Sequence, residues 1–482
     1  MSALPGDTIA AISTPPGPGG VALVRLSGPR AMEIADAVFR GARPLVDCST
    51  HTVHHGRVFD TDGAEADEVM ATVLRGPSSY TTEDMVEFGC HGGTMASHRV
   101  LDACLAAGAR PARQGEFTER AFLGGRIDLV QAEAVADIIA AQTREGLALA
   151  LGQLEGGLSG RLAELRGTLV DYRAEVEALI DFSDDDIEPA TMDAIAALGE
   201  RAGGVARELL ATADYGVAVR EGVSVAIVGR PNVGKSTIMN ALLNRERAIV
   251  TDEPGTTRDV IEETMSLGGI AVRLIDTAGW RDASSAAEAE GVKRARAAAS
   301  GADLVLHVLD AGVGVTGEDE EIARALTDGD AAWPLVVINK VDLVASTDEN
   351  EALREIAHAV SISALTGEGL DELRATLARA IVPSHDWAND PASEAHGETR
   401  EETREEARVD GGAVVTNARH VDALMRTANA TTRSLEQLRA GASPDVVAQE
   451  IADAADALGD ITGETAPEDV LRRVFERFCV GK

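Results

Sequence analysis

The chain has 482 residues, enough for about three domains. It is 45% hydrophobic, as a globular protein is, and no apolar run approaches the ~18 residues of a membrane-spanning helix. Its formal net charge is −36, from 80 acidic and 44 basic residues, which argues against tight, unassisted nucleic-acid binding because phosphate contacts need clustered cations.

Lysine occurs only at Lys235, Lys293, Lys340 and Lys482; arginine supplies the remaining basic charge. Such a surface fits a salt-rich cytoplasm, where screening relieves repulsion between carboxylates. A GC-rich genome gives the same bias. The charge leaves room for a local basic patch or a site shared with a partner. Residues 1–7 lack the basic start and apolar core of a signal peptide and do not read as a transit peptide. Cys48, Cys90, Cys104 and Cys479 are scattered, with no C-x-x-C pair. That fits a reduced, cytoplasmic setting and neither a zinc site nor a disulfide framework.

Residues 1–124 mix short apolar strands with glycine turns, at Gly20–Leu26, Glu68–Leu74 and Met85–Phe88, and helical stretches around Ala31–Phe39 and Ala96–Ala107. This is an α/β domain. Residues 125–216 turn helical: Val130, Ala134, Ile138 and Ala141 share one face, and Leu162, Leu165, Leu169, Val176 and Ile180 another. Residues 217–382 carry the nucleotide motifs described below. Residues 383–412 are acidic and repetitive, with few apolar anchors, and read as a linker. Helical pattern returns over 413–482. Ser443 and Pro444 open one helix as N-cap and N1. Thr465 and Glu468 have the spacing of a capping box for the last helix, whose apolar face is Val470, Leu471, Val474, Phe475 and Phe478. Single helices rarely bury their apolar face alone. The two helical sets are therefore expected to pack together, as a discontinuous domain into which 217–382 is inserted.

Residues 229–236 form a complete G-x-x-x-x-G-K-[ST] phosphate loop between the apolar run 223–228 and the helical pattern 237–243. Backbone N–H groups of Asn232, Val233, Gly234, Lys235, Ser236 and Thr237 suit phosphate oxygens at a helix N-terminus. Lys235 reaches the β and γ phosphates, and the Ser236 hydroxyl suits Mg2+. Asp276, Thr277, Ala278 and Gly279 form a D-x-x-G after the run 271–275. Asn339, Lys340 and Asp342 close the run 335–338. Asp342 accepts two hydrogen bonds from guanine, a donor pair that adenine lacks, so an unpaired carboxylate penalises ATP. Ser363 and Ala364 fit the fifth, base-contacting element. Any one motif can arise by chance; four in order, each after an apolar segment, mark a GTPase.

Thr251, Asp252, Glu253, Pro254, Gly255, Thr256 and Thr257 read as a switch loop, with Thr257 closing on Mg2+ when the γ-phosphate is present. Trp280 stands where Ras-type enzymes keep a water-orienting glutamine, so hydrolysis needs another route. Asn232 offers an amide oxygen to a monovalent cation that stabilises transition-state charge. Glu288 and Glu290 are equivalent candidates for positioning water, and a solvated helix explains them equally.

The ending 477–482, the motifs 13–21, 90–93 and 113–122, and the G motifs together resemble the MnmE (TrmE) family of bacterial tRNA-modification GTPases over nearly the whole chain. The resemblance implies an N-terminal α/β folate-binding-like domain, a discontinuous all-α helical domain and an inserted Ras-like α/β P-loop G domain. It implies a homodimer built through the N-terminal domain. It also implies a heterotetramer with the flavoprotein MnmG (GidA), which modifies carbon 5 of wobble uridine in tRNA with 5-formyl- or 5,10-methylene-tetrahydrofolate. GTP hydrolysis is then activated by K+ through G-domain dimerisation. Arg25, Glu87 and Lys482 match folate-contacting positions. Arg126 stands where many members carry lysine, which keeps the charge and changes the hydrogen-bond geometry. Asn232, Thr251, Glu253 (through its carbonyl) and Thr256 match the potassium loop, and Glu288 the catalytic glutamate. Cys479 matches a terminal cysteine proposed to act in the chemistry. Read from the residues alone, Cys479 is equally a small apolar residue buried by the last helix.

Two other readings use the same motifs. A ribosome-assembly GTPase switch would carry a basic RNA-binding appendix, and none is present in the sequence. An N-terminal domain serving only dimerisation would leave the tRNA chemistry to the partner.

Overall fold

The computed structural model describes residues 6–181, 189–243, 261–276, 301–327, 334–344, 353, 356, 359–382 and 413–482. The linker segment 383–412 lies outside them, as does most of 244–300. Packing divides the chain into two units. One comprises Met1–Ala136, Gln153–Gly199 and Asn429–Lys482, the other Asp137–Gly152 and Glu200–Ala428.

The first unit starts from strand alternation. β1 (Ile9–Ile12) pairs antiparallel with β2 (Val21–Ser27). On β2, Ala22, Val24 and Leu26 are buried on one face, while Val21, Leu23 and Arg25 take the other. β3 (Phe39–Gly41), β4 (Thr52–Phe59), β5 (Glu65–Leu74), β6 (Met85–His91) and β7 (Arg110–Pro111) complete a sheet in the order β3-β4-β5-β6-β2-β1-β7. Its pairings are antiparallel except β1 with β7. Helices Ala31–Val38 and Thr94–Ala106 cover one face, burying Ala35, Val38, Val100 and Cys104 against Val24, Leu26, Val73 and Phe88. On the opposite face Ile9, Ala11 and Met85 receive Phe117 of helix Glu116–Leu123.

The helices of this unit follow their 3.6-residue pattern. Helix Gly157–Asp181 buries Leu158, Leu162, Leu165, Leu169, Tyr172 and Val176. It packs against helix Pro444–Thr462, which buries Val447, Ile451, Ala454 and Leu458. The Ser434 hydroxyl donates to the Tyr172 hydroxyl at 3.3 Å. Val474, Phe475 and Phe478 pack on Leu129, Ala132 and Val135 of helix Leu129–Ala140. Helices from before residue 200 and after residue 428 thus bury their apolar faces on one another.

Ser443 and Pro444 stand at the N-cap and the first position of helix Pro444–Thr462 as expected; the Ser443 carbonyl takes the Val446 N–H, while its hydroxyl turns to the Asp445 carboxylate at 3.4 Å. The expected capping box of the last helix is corrected. Thr465 caps nothing in the last helix, Glu468–Phe475, whose N-cap is the extended Pro467. Its hydroxyl instead donates back to the Asp456 carbonyl at 3.0 Å, and its N–H donates to the Gly459 carbonyl at 3.4 Å, at the carbonyl end of the preceding helix, where acceptors lack intrahelical partners.

In the second unit, β8 (Val223–Val228) is buried at every residue, as strands covered on both faces are. With β9 (Ile261–Leu267), β10 (Ile270–Asp276), β11 (Leu304–Asp310), β12 (Leu335–Asn339) and β13 (Val360–Ser361) it forms a sheet in the order β13-β12-β11-β8-β10-β9. All pairs are parallel except β9 with β10. Helices Lys235–Leu243 and Leu370–Ile381 share its main core. Leu149 and Val219, from segments preceding β8, join that core. The strand order reverses at β8, which opens a crevice at the carboxyl ends of the strands.

Candidate functional site

That crevice is built by the ends of five strands. β8 runs into the phosphate loop, and the following helix begins at Lys235. Asn232 has a left-handed backbone (φ +66°), a conformation asparagine tolerates better than most residues. Gly234 is left-handed too (φ +100°), and any side chain there would collide with the Asn339 amide. That amide braces the site. Its nitrogen donates to the Val233 carbonyl at 2.8 Å, and its oxygen accepts the Ala364 N–H at 3.0 Å. Asn339 therefore ties the loop to the fifth element. Lys340 adds a second brace from a left-handed backbone (φ +67°), donating to the Asn232 carbonyl at 2.6 Å and to Asp310 at 2.7 Å.

Lys235 is buried, and its ammonium donates to the Gly229 and Arg230 carbonyls at 2.8 Å each. Burial lowers its pKa, against the opposing pull of Asp276 and Glu318. The Ser236 hydroxyl donates to the Asp276 carboxylate at 2.7 Å. Two hard oxygen donors thus lie side by side at the loop, a donor set that fits Mg2+. Asp342 sits exposed in a short turn beyond β12. Ser363 is fully buried, and its hydroxyl accepts the Thr366 N–H at 3.1 Å, so it shapes the turn that presents Ala364. The arrangement offers an anion cradle, a cation donor pair and an exposed carboxylate at one sheet edge. Thr251, Asp252, Glu253, Pro254, Gly255, Thr256, Thr257, Thr277, Ala278, Gly279, Trp280, Glu288 and Glu290 lie outside the described residues.

A second site lies on the first unit's sheet. Arg25 and Glu87 are direct cross-strand partners on β2 and β6, and the Arg25 Nε donates to Glu87 at 2.7 Å. Strand alternation places both on the face opposite the helix-covered core. There they meet residues 479–482. The Arg25 guanidinium and the Ser13 hydroxyl donate to the Gly481 carbonyl at 3.2 and 2.9 Å. Val480 bridges Gln114, and the Phe117 N–H donates to the Lys482 oxygen at 3.2 Å. Gly481 is left-handed (φ +95°), and a Cβ there would stand 2.5 Å from the Ile12 carbonyl. Burial and the Arg25 charge lower the pKa of Lys482, against the pull of Glu87. Arg25 lies over the Tyr80 and Phe117 rings at 5.6 and 5.5 Å, and Arg126 lies over Tyr80 at 5.0 Å while donating to its carbonyl. Arg25, Glu87, Arg126 and Lys482 are thereby brought together. Cys479 beside them is exposed, so its reading as a buried apolar residue does not hold; Phe475 and Phe478 take the buried places. Cations, one carboxylate and aromatic faces suit a flat, anionic ligand.

The motif at 113–122 takes its physical role from the structure. Glu116 is fully buried and accepts from Arg110 at 2.6 and 3.1 Å, from Arg120 at 3.2 Å and from the Arg113 N–H at 2.8 Å. Asp7 completes the cluster, accepting from Arg110 and Arg120 at 2.6 and 2.7 Å. This network seats the helix whose first N–H groups hold the tail. Tyr80 and Ser13 were not anticipated as site residues. Ser13 lies in a quoted motif, whereas nothing local marks Tyr80.

Comparison with known proteins agrees along the chain. The family model described as the GTP-binding protein TrmE N-terminus matches residues 8–126, and that described as the MnmE helical domain matches 129–479. A protein of Roseiflexus sp. (strain RS-1) named tRNA modification GTPase MnmE is 44% identical over 486 residues, covering 99% of each chain. Its namesake in Chloroflexus aurantiacus is 45% identical over 477 residues, covering 99% of this chain and 100% of that one. The namesake in Geobacter metallireducens is 43% identical over 477 residues, covering 99% of each. With both domain models matched and relatives aligned over nearly its full length, the chain belongs to the MnmE (TrmE) family.

Proposed function

We propose that this chain is a potassium-dependent GTPase that, with a flavoprotein partner and a one-carbon tetrahydrofolate, modifies carbon 5 of the wobble uridine of tRNA. The coarse part, a GTPase of tRNA modification, follows from the family and from the names its full-length relatives carry. The observation that carries it is the phosphate loop joined by Asn339 to the base-contacting element, with Ser236 against Asp276. In this reading Lys235 and the loop N–H groups bind the phosphates, and Asp342 and Ala364 select guanine. Ser236 with Thr257 holds Mg2+, which neutralises phosphate charge when bound. Asn232, Thr251, Glu253 and Thr256 hold K+, and Glu288 positions water. The G domain, 217–382, is an insert in a discontinuous helical domain formed by 125–216 and 413–482. Residues 1–124 bind the folate through Arg25, Glu87, Arg126 and Lys482, with Cys479 beside it, and build a homodimer. The partner is MnmG (GidA), and the setting is the cytoplasm.

Turnover tests the nucleotide half. At fixed ionic strength, replacing K+ by Na+ is expected to slow GTP hydrolysis about tenfold or more, ~1.4 kcal/mol of transition-state stabilisation. Asp342→Asn is expected to shift preference toward xanthosine nucleotides. Equal rates in both salts reject the cation, and unchanged guanine selectivity rejects Asp342.

The folate half is tested by titration with 5-formyltetrahydrofolate. Wild type is expected to bind saturably, and Gly481→Ala to lose that binding. A side chain on this left-handed residue strains the backbone by about 1–3 kcal/mol and pushes the tail carrying Lys482 off Ile12. Undiminished binding in Gly481→Ala, or none in wild type, counts against the assignment.

A further inference from the structure

The nucleotide motifs assign no role to Arg230, the second residue of the phosphate loop. Its Nε–H is shared between both oxygens of Asp319, at 2.9 and 2.8 Å. Asp319 is 1% exposed and lies at the start of helix Gly317–Thr327. Its carboxylate also accepts the Thr316 N–H at 3.0 Å and the Thr316 hydroxyl at 2.8 Å. That is the reach-back of a capping box, with aspartate at the third helical position. The helix start is thus fixed first, and Arg230 is hung from it. His307 on β11 feels both charges of this pair, and its pKa is lowered, first by burial and then by Arg230, against the pull of Asp319. A neutral His307 leaves Arg230 as the counter-charge of a carboxylate withdrawn from water.

We propose that the Arg230–Asp319 ion pair positions the phosphate loop for nucleotide binding. The link to chemistry runs through the backbone. The Arg230 carbonyl is one of the two oxygens that hold the Lys235 ammonium, the Gly229 carbonyl being the other. With Arg230 pinned, the first turn of the loop stands at a set height above β8, and Lys235 is presented toward the space the phosphates take. With the pin removed, Arg230 must find solvent, and its carbonyl moves with it. A guanidinium suits the task because its planar Nε–H, set back from the end of the side chain, meets both Asp319 oxygens at once. Arg230 touches no substrate atom in this account; it acts through Lys235.

The inference rests on residues 229–236 being the phosphate site for GTP. Affinities of GTP and GDP are measured by titration with fluorescent analogues for wild type, Arg230→Met, Asp319→Asn, the double variant and Arg230→Lys. Each single removal is expected to weaken GTP and GDP about tenfold alike, since both nucleotides share the phosphates nearest the loop. The double variant is expected to be no worse than the worse single one, because the two side chains act as a unit. Arg230→Lys, which keeps the charge and loses the Nε–H, is expected to recover part of the loss. A merely structural pair would lower the melting temperature and leave the affinities alone. Wild-type affinity in the folded single variants overturns the proposal, as do additive losses in the double variant. Should Asp319→Asn fail to fold, Arg230→Lys still decides, since full affinity there removes the need for the shared Nε–H. Absence of GTP binding in wild type would instead overturn the nucleotide assignment itself.

Discussion

Lys235→Ala is expected to weaken GTP binding by about 30- to 4,000-fold. The ammonium is buried, and the Gly229 and Arg230 carbonyls hold it in place at 2.8 Å. The ammonium has three N–H donors, so it keeps both carbonyls and gives the third to phosphate, an ion-paired hydrogen bond. Truncating one partner of such a buried pair costs about 2–5 kcal/mol, and each ~1.4 kcal/mol is tenfold in affinity. The pH dependence has a definite sign. Burial lowers the pKa of Lys235 in the free protein, whereas phosphate charge favours the protonated form. Binding therefore takes up a proton once the pH nears the lowered pKa. Affinity should fall with rising pH, and should do so earlier than an ordinary lysine near ~10.4 would dictate. Titrations of wild type and Lys235→Ala from neutral to alkaline pH check both points. A variant within threefold of wild type at neutral pH would falsify the role.

Glu116→Ala is expected to destabilise the first unit by about 1–3 kcal/mol, because the N–H donors of Arg110, Arg120 and Arg113 at this buried position lose their shared acceptor and only Asp7 and Glu83 remain to pair the two guanidinium groups. Burial alone would raise the Glu116 pKa. The hydrogen bonds from Arg110 and the Arg113 N–H, and the Arg110 and Arg120 charges, outweigh it and leave the pKa below the usual carboxylate range. Asp7 is held low by the same two arginines against its own desolvation. For a lowered carboxylate pKa the stabilisation is complete above the unfolded value, about 4.3 for glutamate, and is lost as pH falls through the folded one. Urea denaturation followed by circular dichroism should show a lower midpoint for Glu116→Ala at pH 7. The difference from wild type should shrink in acid, where wild type loses the same network. Equal midpoints at pH 7 would show that the cluster contributes no net stability. Folate titration of the same variant should also weaken, since Glu116 seats the helix whose Phe117 N–H holds the tail.

The described part of the candidate nucleotide site is legible in the chain because each part is local. A buried strand, a glycine loop and a helix follow within about twenty residues, the runs before Asp276 and Asn339 form β10 and β12, and Ser363 and Ala364 follow β13. The expected strands at 20–26, 68–74 and 85–88 likewise overlap β2, β5 and β6, since period-two alternation is set by neighbouring residues. Caps were less legible. The Thr465 hydroxyl has a choice between accepting an N–H of the helix ahead and donating to a carbonyl of the helix behind, and spacing alone does not rank the two.

Other features are set between distant residues, where no pattern along the chain reaches. Arg25 and Gly481 are 456 positions apart, and the hydrogen bond between them exists only because β2 turns Arg25 away from the core toward a surface where the tail returns. Leu149 belongs to the nucleotide sheet's core although its helical pattern is indistinguishable from its neighbours'. Arg230 reads in the sequence as a variable residue of the phosphate loop, and only packing brings it to Asp319, 89 positions on. Local propensity and periodicity decide which elements form and which face of each is apolar. Which buried charge meets which counter-charge depends on how those faces close on one another, because a carboxylate removed from water accepts whichever donors the fold delivers to it.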